Sequence, residues 1–224
     1  MTRYAVYAIP GAEAGNAPES AKRLYDTAER WYARKDMRDV TASARSYGFH
    51  ATLKAPFRLA GDVTEADLQA FTAAFAAQRQ PVVIPAPKPA ALGKFRALIP
   101  TGDQNGINEL AADIVHGFDG LRAPFTDREY QRRRPEELSA RQRALLDQWG
   151  YPYVLEEFVF HLTLTDPLPE GRIDDVDRAI ATHFADVGGV DVLLASLVIC
   201  IEPAPGEPFQ LLSRHPFSNS KETF

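Results

Sequence analysis

The chain has 224 residues, of which 45% are hydrophobic and 25% charged, with 25 Lys+Arg against 30 Asp+Glu and one cysteine. That size and apolar content bury a sizeable core in one large or two small domains and exclude disorder as the main state. The net charge of −5 excludes a general nucleic-acid coat, whose sequence-independent binding is driven by phosphate neutralisation, and a lone cysteine excludes an internal disulfide and a cysteine zinc site.

In chain order, the first residues lack the long apolar stretch of a signal peptide, and no run approaches the roughly 18 apolar residues of a membrane helix. A cytoplasmic protein with no membrane partner is expected. Residues 4–9 read as a short strand that places Tyr4 and Tyr7 on different faces, so only one of them can face a cleft. A helix follows over about residues 20–33, with Leu24, Trp31 and Tyr32 toward the core. Beyond a strand-like segment at 49–56, Leu68, Phe71 and Phe75 mark a helix over 64–78. Strands are expected at 81–84 and 95–99, around a Pro-rich stretch suited to an edge strand or loop. Another helix spans about residues 107–118. Residues 124–135 are Arg-rich and lead into a helix from 135 or 136 to 149, where Pro135 and the two glutamates suit a first turn. After a second strand-like segment at 160–167, Val176, Ile180 and Phe184 mark a helix over 174–186. Strand runs at 190–202 and 209–213 are joined by the turn-rich 203–208. Cys200 sits in the apolar run 197–201 and reads as a small buried hydrophobe.

Two of these segments repeat each other. Phe49-His50-Ala51-Thr52-Leu53-Lys54-Ala55-Pro56 recurs 111 residues later as Phe160-His161-Leu162-Thr163-Leu164-Thr165-Asp166-Pro167, with five of eight positions identical. A helix and two strand-like runs follow each copy. The chain is therefore expected to be one bilobal α+β domain over 1–224, with a first repeat at 1–101, a second at 104–217 and a basic helical insertion at 122–150.

Strand side chains alternate, so His50, Thr52 and Lys54 share one face while Phe49, Ala51 and Leu53 share the other; His161, Thr163 and Thr165 oppose Phe160, Leu162 and Leu164 in the same way. Under an approximate twofold relation, two imidazoles and two hydroxyls converge on one cleft. That set suits in-line displacement at phosphorus: a neutral imidazole takes a proton from the attacking hydroxyl or water, and the opposite imidazolium protonates the leaving oxygen. Histidine's ordinary pKa of about 6.5 permits either state near neutrality. The threonine hydroxyls can donate to non-bridging phosphate oxygens, and Lys54 would add a positive charge on the same face. The scheme needs no metal, and the repeats offer two good nitrogen ligands where zinc usually takes three protein ligands.

The motifs His50-Ala51-Thr52-Leu53 and His161-Leu162-Thr163-Leu164 resemble the paired motifs of the two-histidine (2H) phosphoesterase superfamily, which includes RNA 2′-5′ ligase-like and cyclic nucleotide phosphodiesterase proteins. More narrowly, residues 47–57 and 158–165 resemble a branch described as phosphonate-metabolism proteins of unknown function, and the similarity covers nearly the whole chain. The resemblance implies a bilobal, pseudo-twofold α+β fold in which antiparallel sheets line a central cleft with helices outside. It also implies metal-independent chemistry on cyclic phosphodiesters without a cofactor, catalysis by His50 and His161, and phosphate binding by Thr52 and Thr163. The narrower branch implies a small substrate of phosphonate breakdown, such as a ribose cyclic phosphate.

A single His-x-Thr strand reads most simply as a half-buried strand with satisfied side chains; two copies in matching contexts favour a catalytic pair. His116 near a helix end, His183 within a helix and His215 before a proline read as structural. Six arginines fall between 128 and 143. They form either a solvated charged helix or a basic cap over the cleft. In the second reading Arg128, Arg132, Arg133 or Arg134 forks onto a substrate phosphate or carboxylate, with Tyr130, Tyr151 and Tyr153 as a stacking wall. Arg45 and Tyr47, just ahead of the first motif, are further candidate substrate contacts. The leading expectation is a hydrolase that opens a small cyclic phosphodiester. Its rivals are an enzyme acting on a short RNA end and a non-catalytic protein that binds a phosphorylated metabolite.

Overall fold

The computed structural model describes residues 1–12 and 17–218. Strand β1 (Arg3–Ala8) is followed by helix α1 (Glu19–Tyr32), whose Ala21, Leu24, Ala28 and Trp31 recur every three or four residues and are all buried. A short α2 (Ala42–Tyr47) turns at Gly48 into β2 (Ala51–Phe57), the first motif strand. Helix α3 (Glu65–Ala77) opens on a capping box in which Thr64 and Asp67 each accept the other's amide, a device that stabilises by about 1 kcal/mol. Next come β3 (Val82–Ile84), β4 (Lys88–Leu92) and β5 (Phe95–Ile99). The Pro-rich stretch supplies β4, an edge strand, where the missing amide of Pro89 is tolerated.

After α4 (Asn105–Gly117), the single helix expected up to residue 149 is divided. Helix α5 (Asp127–Arg132) precedes a 3-10 turn at Pro135–Glu137, and α6 (Ala140–Trp149) starts afresh from a capping box between Ser139 and Gln142. Pro135 and the two glutamates thus open a separate turn. The second motif contributes β6 (Leu162–Thr163), followed by α7 (Ile173–His183), β7 (Val192–Leu194), β8 (Ser196–Glu202) and β9 (Gln210–Pro216). The run expected as one strand over 190–202 is two strands, because its parts pair in different sheets.

Three antiparallel sheets result, ordered β2-β1-β8-β9, β4-β5-β6 and β3-β7. The hairpin β4-β5, which follows the first motif, pairs with the second motif's strand. The hairpin β8-β9, which follows the second motif, completes the sheet of the first. Each motif strand therefore lies at the edge of a sheet that the other half of the chain helps to build. One core cluster runs through Leu24, Phe49, Leu68, Ile114, Phe160 and Leu197, with α1 against β7, α3 against β8 and β9, and α4 against β2 and β3. This is the α+β, antiparallel architecture that the paired motifs imply. Cys200 is buried in β8, where burial pushes its thiol up to about 12. Among the described residues no helix is long and apolar enough to cross a membrane.

Candidate active site

Phe49, Ala51 and Leu53 are buried on the core side of the first motif, and Phe160, Leu162 and Leu164 on that of the second. Their opposite faces border an open cleft of about 420 Å³ whose walls include His50, Thr52, Thr163 and Thr165. His161 stands beside the wall residue Phe95, ring centroids 5.7 Å apart, and close enough to His50 to disfavour a charge on it.

Both imidazoles are oriented by the same device. His50 Nδ1 lies 2.9 Å from the carbonyl of Gly48, and His161 Nδ1 lies 2.8 Å from that of Val159. A carbonyl oxygen only accepts, so Nδ1 carries the proton in the neutral ring and Nε2 is left for chemistry. Gly48 has φ 74°, in the left-handed region that favours glycine, and this turn at the end of α2 sets its carbonyl against the ring two residues on. The two settings then diverge. Of Tyr4 and Tyr7, it is Tyr7 that reaches the cleft, stacking on His50 with centroids 4.0 Å apart, while the Tyr4 hydroxyl donates to Glu65 at 3.0 Å. Burial, opposed by the Gly48 bond and aided by His161, holds His50 down at about 4. Burial also lowers His161 from its ordinary value, against the opposing Val159 bond.

The second motif is fastened by helices from the first half of the chain. Trp31 Nε1 donates to the Leu164 carbonyl at 2.8 Å, and the Tyr32 hydroxyl donates to that of Thr163 at 2.6 Å. Asp166 accepts from the amides of Ser43 and Ala44 at 2.9 and 2.8 Å, and so caps α2, whose own Thr41 makes no side-chain cap. Through α2 this bond also steadies Tyr47, which lines the cleft beside Phe209 with ring centroids 5.7 Å apart.

Lys54 does not join the cleft. Tyr7 pairs with Thr52 and Val6 with Lys54, so one step along β1 spans two along β2, and this bulge at Leu53 resets the alternation of faces. Lys54 turns to the interior, 4% exposed, where Nζ donates to the Val115 carbonyl at 3.3 Å and lies 3.8 Å from Asp119. Burial lowers its ammonium to about 8.

The insertion folds against the end of β2. Arg58 forks onto Glu129 at 2.8 and 2.9 Å and donates to the Pro124 carbonyl at 2.7 Å; its guanidinium holds the Glu129 carboxyl down at about 2. Of the four arginines expected over the cleft, Arg133 lines it. Arg132 borders a smaller adjoining pocket, Arg134 is exposed and pairs with Glu137 at 3.1 Å, and Arg128 is exposed. Tyr130 lies in a separate depression of the insertion, hydrogen-bonded to Asp147. Arg45 is exposed because the α2 face that meets the cleft is that of Ser43, Ala44 and Tyr47, three and four residues apart. Tyr151 packs its ring beneath Arg133, 5.0 Å from the guanidinium, whereas Tyr153 is exposed. The remaining histidines have partners of their own: His116 meets Trp149 edge-on at 4.9 Å, His183 bonds the Thr27 carbonyl at 2.9 Å, and His215 bonds Ser213 at 2.8 Å.

Arg3, Asp166 and Phe209 also border the cleft; Arg3 and Phe209 lie outside the repeated motifs, and Asp166 stands in the second copy where the first has Ala55, so the repeat singles none of them out. Arg3 sits four residues before Tyr7 on β1, so alternation points to it once Tyr7 is placed; Asp166 comes with the second motif segment, next to the wall residue Thr165, and Phe209 arrives through tertiary contacts. Among the described residues no group of three or more His, Cys, Asp or Glu could hold a metal ion.

Residues 52–210 match a family described as "Protein of unknown function (DUF1045)". The chain belongs to that family. Two curated relatives named "Ribose 1,5-bisphosphate phosphokinase PhnN" are similar to it. The protein from Janthinobacterium sp. (strain Marseille) is 40% identical over 99% of this chain and 52% of its own length. That from Laribacter hongkongensis (strain HLHK9) is 35% identical over 93% and 50%. The chain thus spans about half the length of the curated relatives it matches. Among solved structures, TT0787 of Thermus thermophilus superposes with a TM-score of 0.51 at 13% identity, covering 98% of this chain and 100% of that one, which shows a common fold. E. coli LigT complexed with NADP+ gives a TM-score of 0.47 at 12% identity over 97% and 98%.

Proposed function

We infer that this DUF1045 protein hydrolyses a small cyclic phosphodiester, a ribose cyclic phosphate being the form that suits its relatives best. The observation that carries the reading is the matched pair of imidazoles, each tied through Nδ1 to the carbonyl two residues back, with Thr52 and Thr163 in the same cleft. Water attacks phosphorus as His50 Nε2 takes its proton. The ring P–O bond then breaks, and His161 Nε2–H gives its proton to the departing oxygen, leaving a phosphate monoester. The more strongly depressed His50 stays neutral and acts as base. His161 acts as acid, its imidazolium favoured by the bound anion. The threonine hydroxyls donate to the non-bridging oxygens, where charge must be held, and Tyr47 with Phe209 offers a wall for the sugar.

The curated relatives are named for a kinase of a doubly phosphorylated ribose. This chain carries no G-x-x-x-x-G-K-S/T phosphate loop of its own. A hydrolase acting on a ribose cyclic phosphate and such a kinase would both handle phosphorylated ribose, which supports the choice of sugar.

The test is a panel of ribose cyclic phosphates, 2′,3′-cyclic nucleotides and oligonucleotides ending in a cyclic phosphate, each incubated with the protein in EDTA and followed by phosphorus NMR. The cyclic-phosphate signal of the small ribose substrate is expected to give way to that of a monoester fastest, with no effect of EDTA. Faster, strongly salt-dependent turnover of the oligonucleotide would move the reading to RNA ends. Binding without turnover anywhere in the panel would overturn catalysis.

A further inference from the structure

We propose that the small basic pocket adjoining the cleft is a second-anion subsite, so that the preferred substrate carries a phosphate monoester at a distance from the cyclic phosphate being opened. The proposal rests on the hydrolase reading for the cleft itself. The pocket has a volume of about 90 Å³, well above the roughly 10–15 Å³ that a single water needs and enough for one tetrahedral oxyanion. Arg3, Arg132 and Arg133 stand in its wall with Phe57 and Phe125, and Arg3, Pro56 and Arg133 are wall residues of the cleft as well.

The charges around it are unbalanced. Arg58 and Glu129 cancel each other in their forked pair. Arg3 is held by the buried Glu202, its Nη2 2.7 Å from Oε1 and its Nε bonded to the other oxygen. Arg133 rests on the Tyr151 ring, and among the described residues no carboxylate forms an ion pair with it. Burial and the charges of Arg3 and Arg132 push its guanidinium below its ordinary value. Three arginines less Glu202 leave two positive charges at the pocket, which suits a phosphate monoester, close to a dianion at neutral pH, better than a carboxylate. Cations gathered on a partly buried wall are costly unless an anion completes them, and guanidinium forks match phosphate oxygens. The backbone agrees: Arg134 has φ 48°, uncommon for a residue other than glycine, and at this turn Arg134 pairs outward with Glu137 while Arg133 faces the cleft.

The experiment compares a ribose cyclic phosphate with and without a phosphate on C5, using wild type, Arg133→Gln and, as a control outside the pocket, Arg134→Gln, and measures ribose 5-phosphate binding calorimetrically. Loss of charge-assisted hydrogen bonds in Arg133→Gln should raise KM for the C5-phosphorylated substrate ~10–100-fold. Because Arg133 also lines the cleft, the unphosphorylated substrate should lose some efficiency as well, but several-fold less than the C5-phosphorylated one, and ribose 5-phosphate binding should weaken ~10–100-fold. Arg134→Gln should match wild type. Equal effects of Arg133→Gln on both substrates, or unchanged ribose 5-phosphate binding, would overturn the subsite. Arg133-dependent binding of ribose 5-phosphate without turnover of either substrate would support the subsite and sink the hydrolase reading. Turnover indifferent to the C5 phosphate would do the reverse.

Discussion

The two motif strands carry the same chemistry in the same order and are held by different means. The first is the bulged edge of a four-stranded sheet, and its histidine lies under Tyr7. The second is a two-residue strand whose backbone hangs from Trp31 and Tyr32 of α1. Both rings keep the same tautomer, because each Nδ1 faces a carbonyl two residues back. They differ in how strongly they resist a proton, with His50 held at about 4 and His161 lowered less. A duplicated motif thus fixes which groups are present, while the unequal surroundings give the two rings different proton affinities, the difference on which the proposed division into base and acid rests.

The comparison breaks first at the histidines. His50→Ala and His161→Ala should each reduce kcat/KM by ~10²–10⁴-fold, the range typical of general acid–base groups, in initial-rate assays on a ribose cyclic phosphate. Full activity in either variant contradicts the pairing. Thr52→Val and Thr163→Val come next, with a loss of ~10²–10³ in kcat if each hydroxyl supports the developing charge. A change confined to KM would instead mean that they hold the ground state only.

How much of this the sequence makes legible depends on the interaction involved. The repeat itself names His50, Thr52, His161 and Thr163, because a period of two along a strand is a local property. Lys54 is misplaced by the same rule, since the bulge at Leu53 depends on pairing with β1 and leaves no local mark. Arg133 cannot be separated from its neighbours Arg128, Arg132 and Arg134 until Arg58 anchors the insertion. Likewise the exchange of hairpins between the halves follows from the packing of a common core, which the order of elements does not express.

The pH dependence sharpens the contrast between the rings. In free enzyme the base is lost on protonation of His50 near pH 4 and the acid is lost as His161 deprotonates below its ordinary value, so kcat/KM should be bell-shaped with an acidic optimum. Stability follows with its own sign: between about pH 6.5 and 4 the unfolded chain binds a proton at residue 50 that the folded chain refuses, so stability falls as pH falls through that window. Tyr7→Leu uncovers His50 and should move the acid limb upward and reduce that loss of stability, as read by pH–rate profiles and denaturant melts. An unmoved limb would show that the stacked ring is not what keeps His50 neutral.

The smallest effect is expected at Lys54. Lys54→Met replaces a buried, weakly paired ammonium with an apolar side chain of similar length and leaves Asp119 its bond to Arg122. Such exchanges are often neutral or stabilising, so kcat/KM should stay at the wild-type level and the melting temperature should hold or rise. Collapse of activity would return Lys54 to the cleft and contradict the bulge.

The division of labour between the two histidines is decided by changing the leaving group. A 4-nitrophenyl phosphodiester departs as a stable phenolate and needs no proton from the enzyme. His161→Ala should therefore recover most of its lost rate on that substrate relative to a ribose cyclic phosphate, whereas His50→Ala, lacking the base that activates water, should stay impaired on both. Equal impairment of both variants on both substrates, or rescue of His50→Ala instead, would contradict the assignment of base to the first motif and acid to the second.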